Sequence, residues 1–259
     1  MISFNTLGCN GYLGNQMFQY ASLRGIANHK GYEYSIPNYD VLVNRPFGSD
    51  IIRCFNISPT KINQNYSWIR ERTFEFDQEF FDNCPDNVDI VGYFQSEKYF
   101  KHIESDIRKE FTFDSQILKT SIEYKKNKFG DSEIISLHIR RGDYINDPNF
   151  DCLSIDYYYK TLKLMPEVPV LVITNDKEWC QEKFNGERFI VSPFKDACID
   201  LCLMSLSDYH IIANSSFSWW GSWMAKSKKT IAPQNWFSSN GNLSNNNTKD
   251  LYLPNWIVL

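Results

Sequence analysis

From Glu133 to Ala232, short apolar runs rich in β-branched residues alternate with stretches of helical character, and this alternation restricts the possible folds more than any other feature. Glu133 to Ile139, Val168 to Thr174, Arg188 to Val191, Tyr209 to Ala213 and Lys229 to Ala232 read as strands. Between them, Ile155 to Leu164, Lys177 to Phe184, Ala197 to Leu206 and Ser218 to Ala225 read as helices. Repeated βα units imply a parallel sheet covered on both faces, with ligands bound beyond the carboxyl ends of its strands. The N-terminal part opens in the same way, with a strand over Ile2 to Leu7, a glycine-punctuated turn and a helix from about Asn15 to Asn28. Pro37 to Asn87 is rich in turn residues and aromatics and has no clear period. Val88 to Tyr93 then reads as a strand and Ser96 to Phe111 as a helix capped by Ser96. The polar segment Lys125 to Ser132 marks a boundary, giving an N-terminal domain over residues 1–128 and a C-terminal domain over 129–259, with the last residues able to pack back on the first. A length of 259 residues suits two modest cores.

A net charge of −4 argues against a protein whose main role is to grip a nucleic-acid backbone, so any anion site must be local. The first residues show no basic leader followed by an apolar core, and no stretch approaches the roughly 18 apolar residues of a spanning helix. A cytoplasmic protein is expected, with peripheral association at the inner membrane face left open. Seven scattered cysteines without a CxxC pair suit free thiols. The sequence also lacks GxxxxGK[ST], GxGxxG, Asp-x-Asp and HExxH, so neither a phosphate loop nor a metal site is supported, and no cofactor is expected.

The most informative stretch is Ser136-Leu-His-Ile-Arg-Arg-Gly-Asp-Tyr144, where a buried strand ends in two arginines. Guanidiniums are costly to bury unpaired, so either a carboxylate such as Asp143 or an anionic ligand must meet them. Adjacent side chains of an extended segment point to opposite sides, which gives Arg140 and Arg141 different roles, one facing ligand and the other bracing Asp143. The second constellation is Asp200 with Asn214-Ser-Ser-Phe-Ser-Trp-Trp220. Hydroxyls and free N–H groups opening a short helix make either a phosphate cradle or an ordinary N-cap cluster. Trp219 and Trp220 read as helix–sheet packing.

Taken together, Gly11 to Ala21 (GYLGNQMFQYA), Gly92 to Phe100 (GYFQSEKYF), His138 to Tyr144 (HIRRGDY) and Ile211 to Gly221 (IIANSSFSWWG) resemble the family 11 glycosyltransferases, the α-1,2-fucosyltransferases of bacterial surface polysaccharides and animal blood-group glycans. The resemblance implies an α/β, GT-B-like fold with two Rossmann-like domains whose parallel sheets face a cleft. It also implies inverting, metal-independent transfer of L-fucose from GDP-β-L-fucose to a sugar hydroxyl, commonly the 2-hydroxyl of a galactose in a glycan that could be lipid-linked. Arg140 inherits the diphosphate contact, with Arg141 and Asp143 supporting it. His138 lies by the nucleoside, Asp200 reads guanine, Ser215 and Ser216 match hydroxyls near the β-phosphate, and Asn214 and Phe217 are further donor-binding positions. Asn15 and Gln16 reach donor phosphate or acceptor hydroxyl, or cap the helix they begin. Gln95, Glu97 and Tyr99 form an acceptor wall. Tyr12 stands where many relatives carry Gly or Arg, so an arginine contact there is absent.

Such a mechanism is dissociative in character. Arg140, the Ser215/Ser216 segment and helix-end N–H groups stabilise departing GDP while the acceptor hydroxyl attacks from the opposite face. Glu97, Asp40 and Asp143 are all possible bases. Two competing readings keep these residues and change what they serve. One is the same fold with another nucleotide-sugar donor, and the other is a glycan- or nucleotide-binding protein without turnover.

Overall fold

The structure, a computed structural model, describes residues 1–48, 50–57 and 66–259. It divides into two compact units, residues 1–114 with 246–253 and residues 115–245 with 254–259.

The first unit carries a four-stranded parallel sheet, β2-β1-β4-β3, made of β1 (Ile2–Ser3), β2 (Tyr34–Ser35), β3 (Ser67–Arg70) and β4 (Val88–Val91). Helix α1 (Leu13–Lys30) follows β1 and buries residues on most of its circumference, among them Met17, Phe18, Ala21 and Leu23. Short helices α2 (Tyr39–Leu42), α3 (Asp50–Cys54) and α4 (Gln78–Asn83) occupy the stretch that shows no period in sequence. Part of that stretch lies outside the described residues.

The helix expected over Ser96 to Phe111 is instead two 3-10 turns, Glu97–Tyr99 and Lys101–Ile103, followed by α5 (Glu104–Glu110). Phe100 leaves the helical region (φ −131, ψ 5), and the break lets Tyr99, Phe100 and Ile103 all turn inward. Ser96 still caps the first turn, its hydroxyl accepting from the Lys98 N–H. Residues 246–253 complete this unit. The Asp250 carboxylate accepts from the Phe76 N–H at 3.2 Å and pairs with Lys98 at 2.6 Å, and the Ser96 hydroxyl donates to the Asp250 carbonyl at 2.9 Å.

The second unit begins with α6 (Ser115–Phe129), which the sequence does not announce: few of its residues are apolar, and only Ser121 and Phe129 are buried. Its sheet is parallel and six-stranded, in the order β10-β9-β8-β5-β6-β7. The strands are β5 (Ile135–Ile139), β6 (Val170–Thr174), β7 (Phe189–Val191), β8 (Tyr209–Ile211), β9 (Lys229–Ala232) and the unanticipated edge strand β10 (Ile257–Val258). Between them run α7 (Ile155–Leu162), α8 (Lys177–Lys183), α9 (Ala197–Ser205) and α10 (Ser216–Ala225). β5 and β6 are buried along their whole length, as strands covered on both faces must be.

The chain proceeds outward from β5 through β6 to β7, then returns to the other side of β5 as β8 and continues outward to β9 and β10. The order therefore reverses between β5 and β8, which is where sheets of this kind open a crevice for a ligand. Trp219 and Trp220 are fully buried on α10, in keeping with packing. Cys9, Cys84, Cys152, Cys180 and Cys202 are free thiols.

Candidate active site

Arg140 is the first residue beyond β5, at the point where the strand order reverses. Its Nη2 donates to Asp143 Oδ2 at 2.7 Å, and its guanidinium lies over the Tyr144 ring, 5.2 Å from the centroid. Arg141 turns the other way. Its Nε donates to Asp176 Oδ2 at 3.0 Å and its guanidinium stacks on Trp179 at 4.3 Å. The two arginines thus have different partners, but Asp143 belongs to Arg140, and Asp176 is what braces Arg141. Asp176 also caps α8 by accepting from the Trp179 N–H at 3.3 Å, so one carboxylate fixes both a helix end and a guanidinium.

The turn itself is held by Asn175. Its Oδ1 accepts from the Arg141 N–H at 2.9 Å and its Nδ2 donates to Asp143 Oδ1 at 3.2 Å. Gly142 suits this position, because φ is +26° and a Cβ there would stand 2.4 Å from Asn175 Nδ2, so any larger residue would strain the turn and push the Asn175 amide aside. Tyr144 then spans the reversal point, its hydroxyl donating to the Asn214 carbonyl beyond β8 at 3.1 Å.

His138, near the end of β5, is buried, with Nδ1 2.8 Å from the Ser218 hydroxyl and its ring 5.6 Å from Phe217. Burial, reinforced by the positive charge of Arg140, pushes it down to about 3, so the imidazole is neutral at any working pH. Ser215 is the N-cap position of α10 in extended conformation, and Ser216 opens the helix. The Ser215 hydroxyl makes no capping bond to the first turn of the helix. The buried Asn214 ties that loop down, its Nδ2 donating to the carbonyls of Asp151 and Trp236 at 3.1 and 3.2 Å.

Asp200 lies on α9, whose cap is Asp196 accepting from the Cys198 N–H at 2.8 Å. Asp200 is therefore free of the capping role and instead accepts from the Ser192 hydroxyl at 2.5 Å. Burial raises it to about 7, opposed by the Ser192 hydrogen bond and by Lys177, with Asp196 adding to the rise.

In the first unit, Asn15 and Gln95 meet: Gln95 Nε2 donates to Asn15 Oδ1 at 2.8 Å. The fully buried Gln16 is occupied with backbone. Its Nε2 donates to the Gly11 and Phe47 carbonyls at 3.3 and 3.2 Å, and its Oε1 accepts from the Ile51 N–H at 3.4 Å. Glu97 accepts from Lys101 at 3.2 Å. Tyr99 is 0% exposed among Phe76, Phe81 and Phe94, with its hydroxyl accepting from the Asp77 N–H at 3.0 Å, so it is a core residue with no surface to offer a ligand.

The family model for glycosyl transferase family 11 matches residues 1–259. The chain belongs to glycosyltransferase family 11. It is 30% identical to an alpha-1,2-colitosyltransferase of Escherichia coli, over 88% of this chain and 90% of that one. It is 24% identical to galactoside alpha-(1,2)-fucosyltransferase 2 of Sus scrofa, over 97% of this chain and 78% of that one. Among solved structures, the NodZ alpha-1,6-fucosyltransferase of Bradyrhizobium superposes with a TM-score of 0.58 at 14% identity, covering 86% of this chain and 91% of that one. Two parallel sheets flanked by helices make the transferase GT-B-like, with two Rossmann-like units. Among the described residues, no group of three or more His, Cys, Asp or Glu side chains is placed to hold a metal ion, and no helix is long and apolar enough to cross a membrane.

Asn175, Asp176, Trp179 and Ser192 escape sequence reasoning. The first three follow β6 in an unremarkable loop and helix start, and only the sheet order brings them beside β5.

Proposed function

We propose that the transferase moves L-fucose from GDP-β-L-fucose to a sugar hydroxyl with inversion and without a metal, and that the acceptor is the 2-hydroxyl of a galactose in a surface glycan. The observation that carries this reading is Arg140, set at the reversal point of the second sheet, where α10 begins after the neighbouring strand β8. A guanidinium and helix N–H groups are what a departing diphosphate needs when no metal shares its charge. In this reading the C-terminal domain, residues 129–259, binds the donor. Arg140 takes the diphosphate, with Arg141 and Asp143 shaping its loop. Ser215 and Ser216 meet the β-phosphate, Asn214 and Phe217 support them, and His138 lies against the nucleoside. Asp200, one oxygen already bonded to Ser192, offers the other to guanine N1–H and N2–H. The N-terminal domain, residues 1–128, addresses the acceptor through Asn15, Gln95 and Glu97. A lipid-linked acceptor would place the protein at the inner face of the membrane.

The pyrophosphate site does not identify the sugar, and the colitosyltransferase relative favours one specific second reading: a GDP-linked deoxysugar other than fucose. Both readings are tested by turnover of GDP-L-fucose and GDP-colitose in EDTA with galactose-terminated acceptors, for wild type and Arg140→Ala. Fucosylated product from wild type and a loss of about a hundred- to a thousand-fold in the folded variant are expected. Product only from GDP-colitose selects the second reading. GDP binding without product from either donor overturns both, and an Arg140→Ala variant of normal rate removes the arginine from the chemistry.

A further inference from the structure

The loop that follows β4 is shaped by a carboxylate that the arginine site does not use. Glu71 directly follows β3, and its backbone N–H continues the sheet ladder by donating to the Val91 carbonyl at 2.8 Å. Its side chain grips the neighbouring loop: Oε2 accepts from the Tyr93 N–H and Oε1 from the Phe94 N–H, both at 2.8 Å. Between strand and clamp sits Gly92, where a Cβ would stand 2.5 Å from Glu71 Cβ and 2.7 Å from its Oε2. Phe94 is held at φ +51°, a conformation a bulky residue adopts only when its surroundings impose it.

What this strained loop presents is Gln95. Its Nε2 is fixed on Asn15 Oδ1, and its Oε1 is buried without a hydrogen-bond partner. Gln19 behaves alike: Nε2 donates to the Asn10 and Gly92 carbonyls at 3.2 and 3.0 Å, and Oε1 is buried and unpartnered. Two orphaned amide oxygens tied to one loop are an unsatisfied demand for donors, and the hydroxyls of a sugar are donors of the right kind.

We propose that Glu71 is a positioning residue of the acceptor subsite: by clamping the Tyr93 and Phe94 amides it holds Gln95 so that Oε1 receives a hydroxyl of the acceptor sugar. The inference rests on the glycosyl-transfer reading above and gives the clamp a role within it.

The clamp responds to protons. Burial raises Glu71 to about 7, against the pull of the two N–H groups and with a further push from Asp77. Tyr99 faces it from the 3-10 turn, and the neighbouring Arg72 is engaged with Asp77 and Glu79. Below about pH 7 a proton on one oxygen turns an acceptor into a donor facing an N–H, and one of the two clamp bonds is lost.

The test compares wild type, Glu71→Gln and Gln95→Ala. Glu71→Gln keeps the size of the side chain and offers one acceptor in place of two. Its KM for a β-galactoside acceptor should rise about 10-fold or more while KM for the donor stays at the wild-type value. The wild-type acceptor KM should rise as pH falls below about 7, and that limb should be missing both in Glu71→Gln and in Gln95→Ala, whose acceptor KM is raised at every pH because the clamp then has no amide oxygen to position. Amide exchange at Tyr93 and Phe94, read without substrates, should quicken at least 10-fold in Glu71→Gln. A wild-type acceptor KM with an intact acid limb in Glu71→Gln, or unchanged exchange, overturns the proposal. Absence of transfer by wild type instead counts against the proposed function, and the exchange measurement still decides whether the clamp exists.

Discussion

Asp200 shows how a single buried carboxyl ties donor recognition to stability. Its carboxyl is raised to about 7 in the folded chain, so the folded state binds a proton that the unfolded state releases near pH 4. Stability from this group is therefore present at low pH and falls as pH rises through the range from about 4 to 7. Asp200→Asn lacks that loss, and its thermal midpoint relative to wild type should be higher at pH 8 than at pH 5. Function runs the other way, because guanine's N–H groups need an acceptor. Wild-type affinity for GDP should strengthen as pH rises toward about 7 and then level off, whereas Asp200→Asn should bind GDP weakly with no such rise, as titration calorimetry at several pH values would read. His138 contributes with the opposite sign. Held down to about 3, it leaves the unfolded state as the proton binder below about pH 6.5, so stability falls as pH drops from there. At this scale the sequence is legible where a residue type is conspicuous in its setting. Two arginines ending a buried strand announce a site; Asn175 and Ser192, ordinary polar residues in loops, acquire meaning only from neighbours that the sheet brings to them.

Among the elements, the β5 loop and the start of α8 work as one assembly through Asn175 and Asp176. Asn175→Ala should leave stability within about 1 kcal/mol, since these are exposed loop hydrogen bonds, yet slow transfer at least tenfold by letting the Arg140 turn relax. Asp176→Ala should in addition lose the α8 cap, about 1 kcal/mol by denaturant unfolding. The elements of the second unit from β5 to β9 are readable because each buried strand is a short apolar run and each intervening helix starts at a recognisable cap or turn. The failures share a physical cause. α6 exposes most of its surface and carries few apolar residues, so no period betrays it. β10 is two residues long and its pairing with β9 is a tertiary fact. The break at Phe100 is imposed by the core that Tyr99 and Phe100 enter and has no local signature in either residue.

At the scale of the whole molecule, each unit has its own parallel sheet, yet the chain does not visit them in simple succession, since residues 246–253 return to the first unit after most of the second has been traced. Asp250, with its side chain 8% exposed, satisfies the Phe76 N–H and Lys98 there. Asp250→Ala should therefore destabilise the first unit by about 1–3 kcal/mol, visible as a lower thermal midpoint. This return also sets a clock on synthesis. A nascent chain that has delivered residues 1–114 still lacks a piece of that unit, and the missing segment is translated only after residues 115–245. At about 5–20 residues per second, the first unit waits about 7–28 s, with the Phe76 and Ser96 positions unfilled, before it can close. The second unit waits in its turn for residues 254–259, which bring β10 to β9, so the segment 246–259 closes first one unit and then the other, and neither can be finished while that segment is still inside the ribosome.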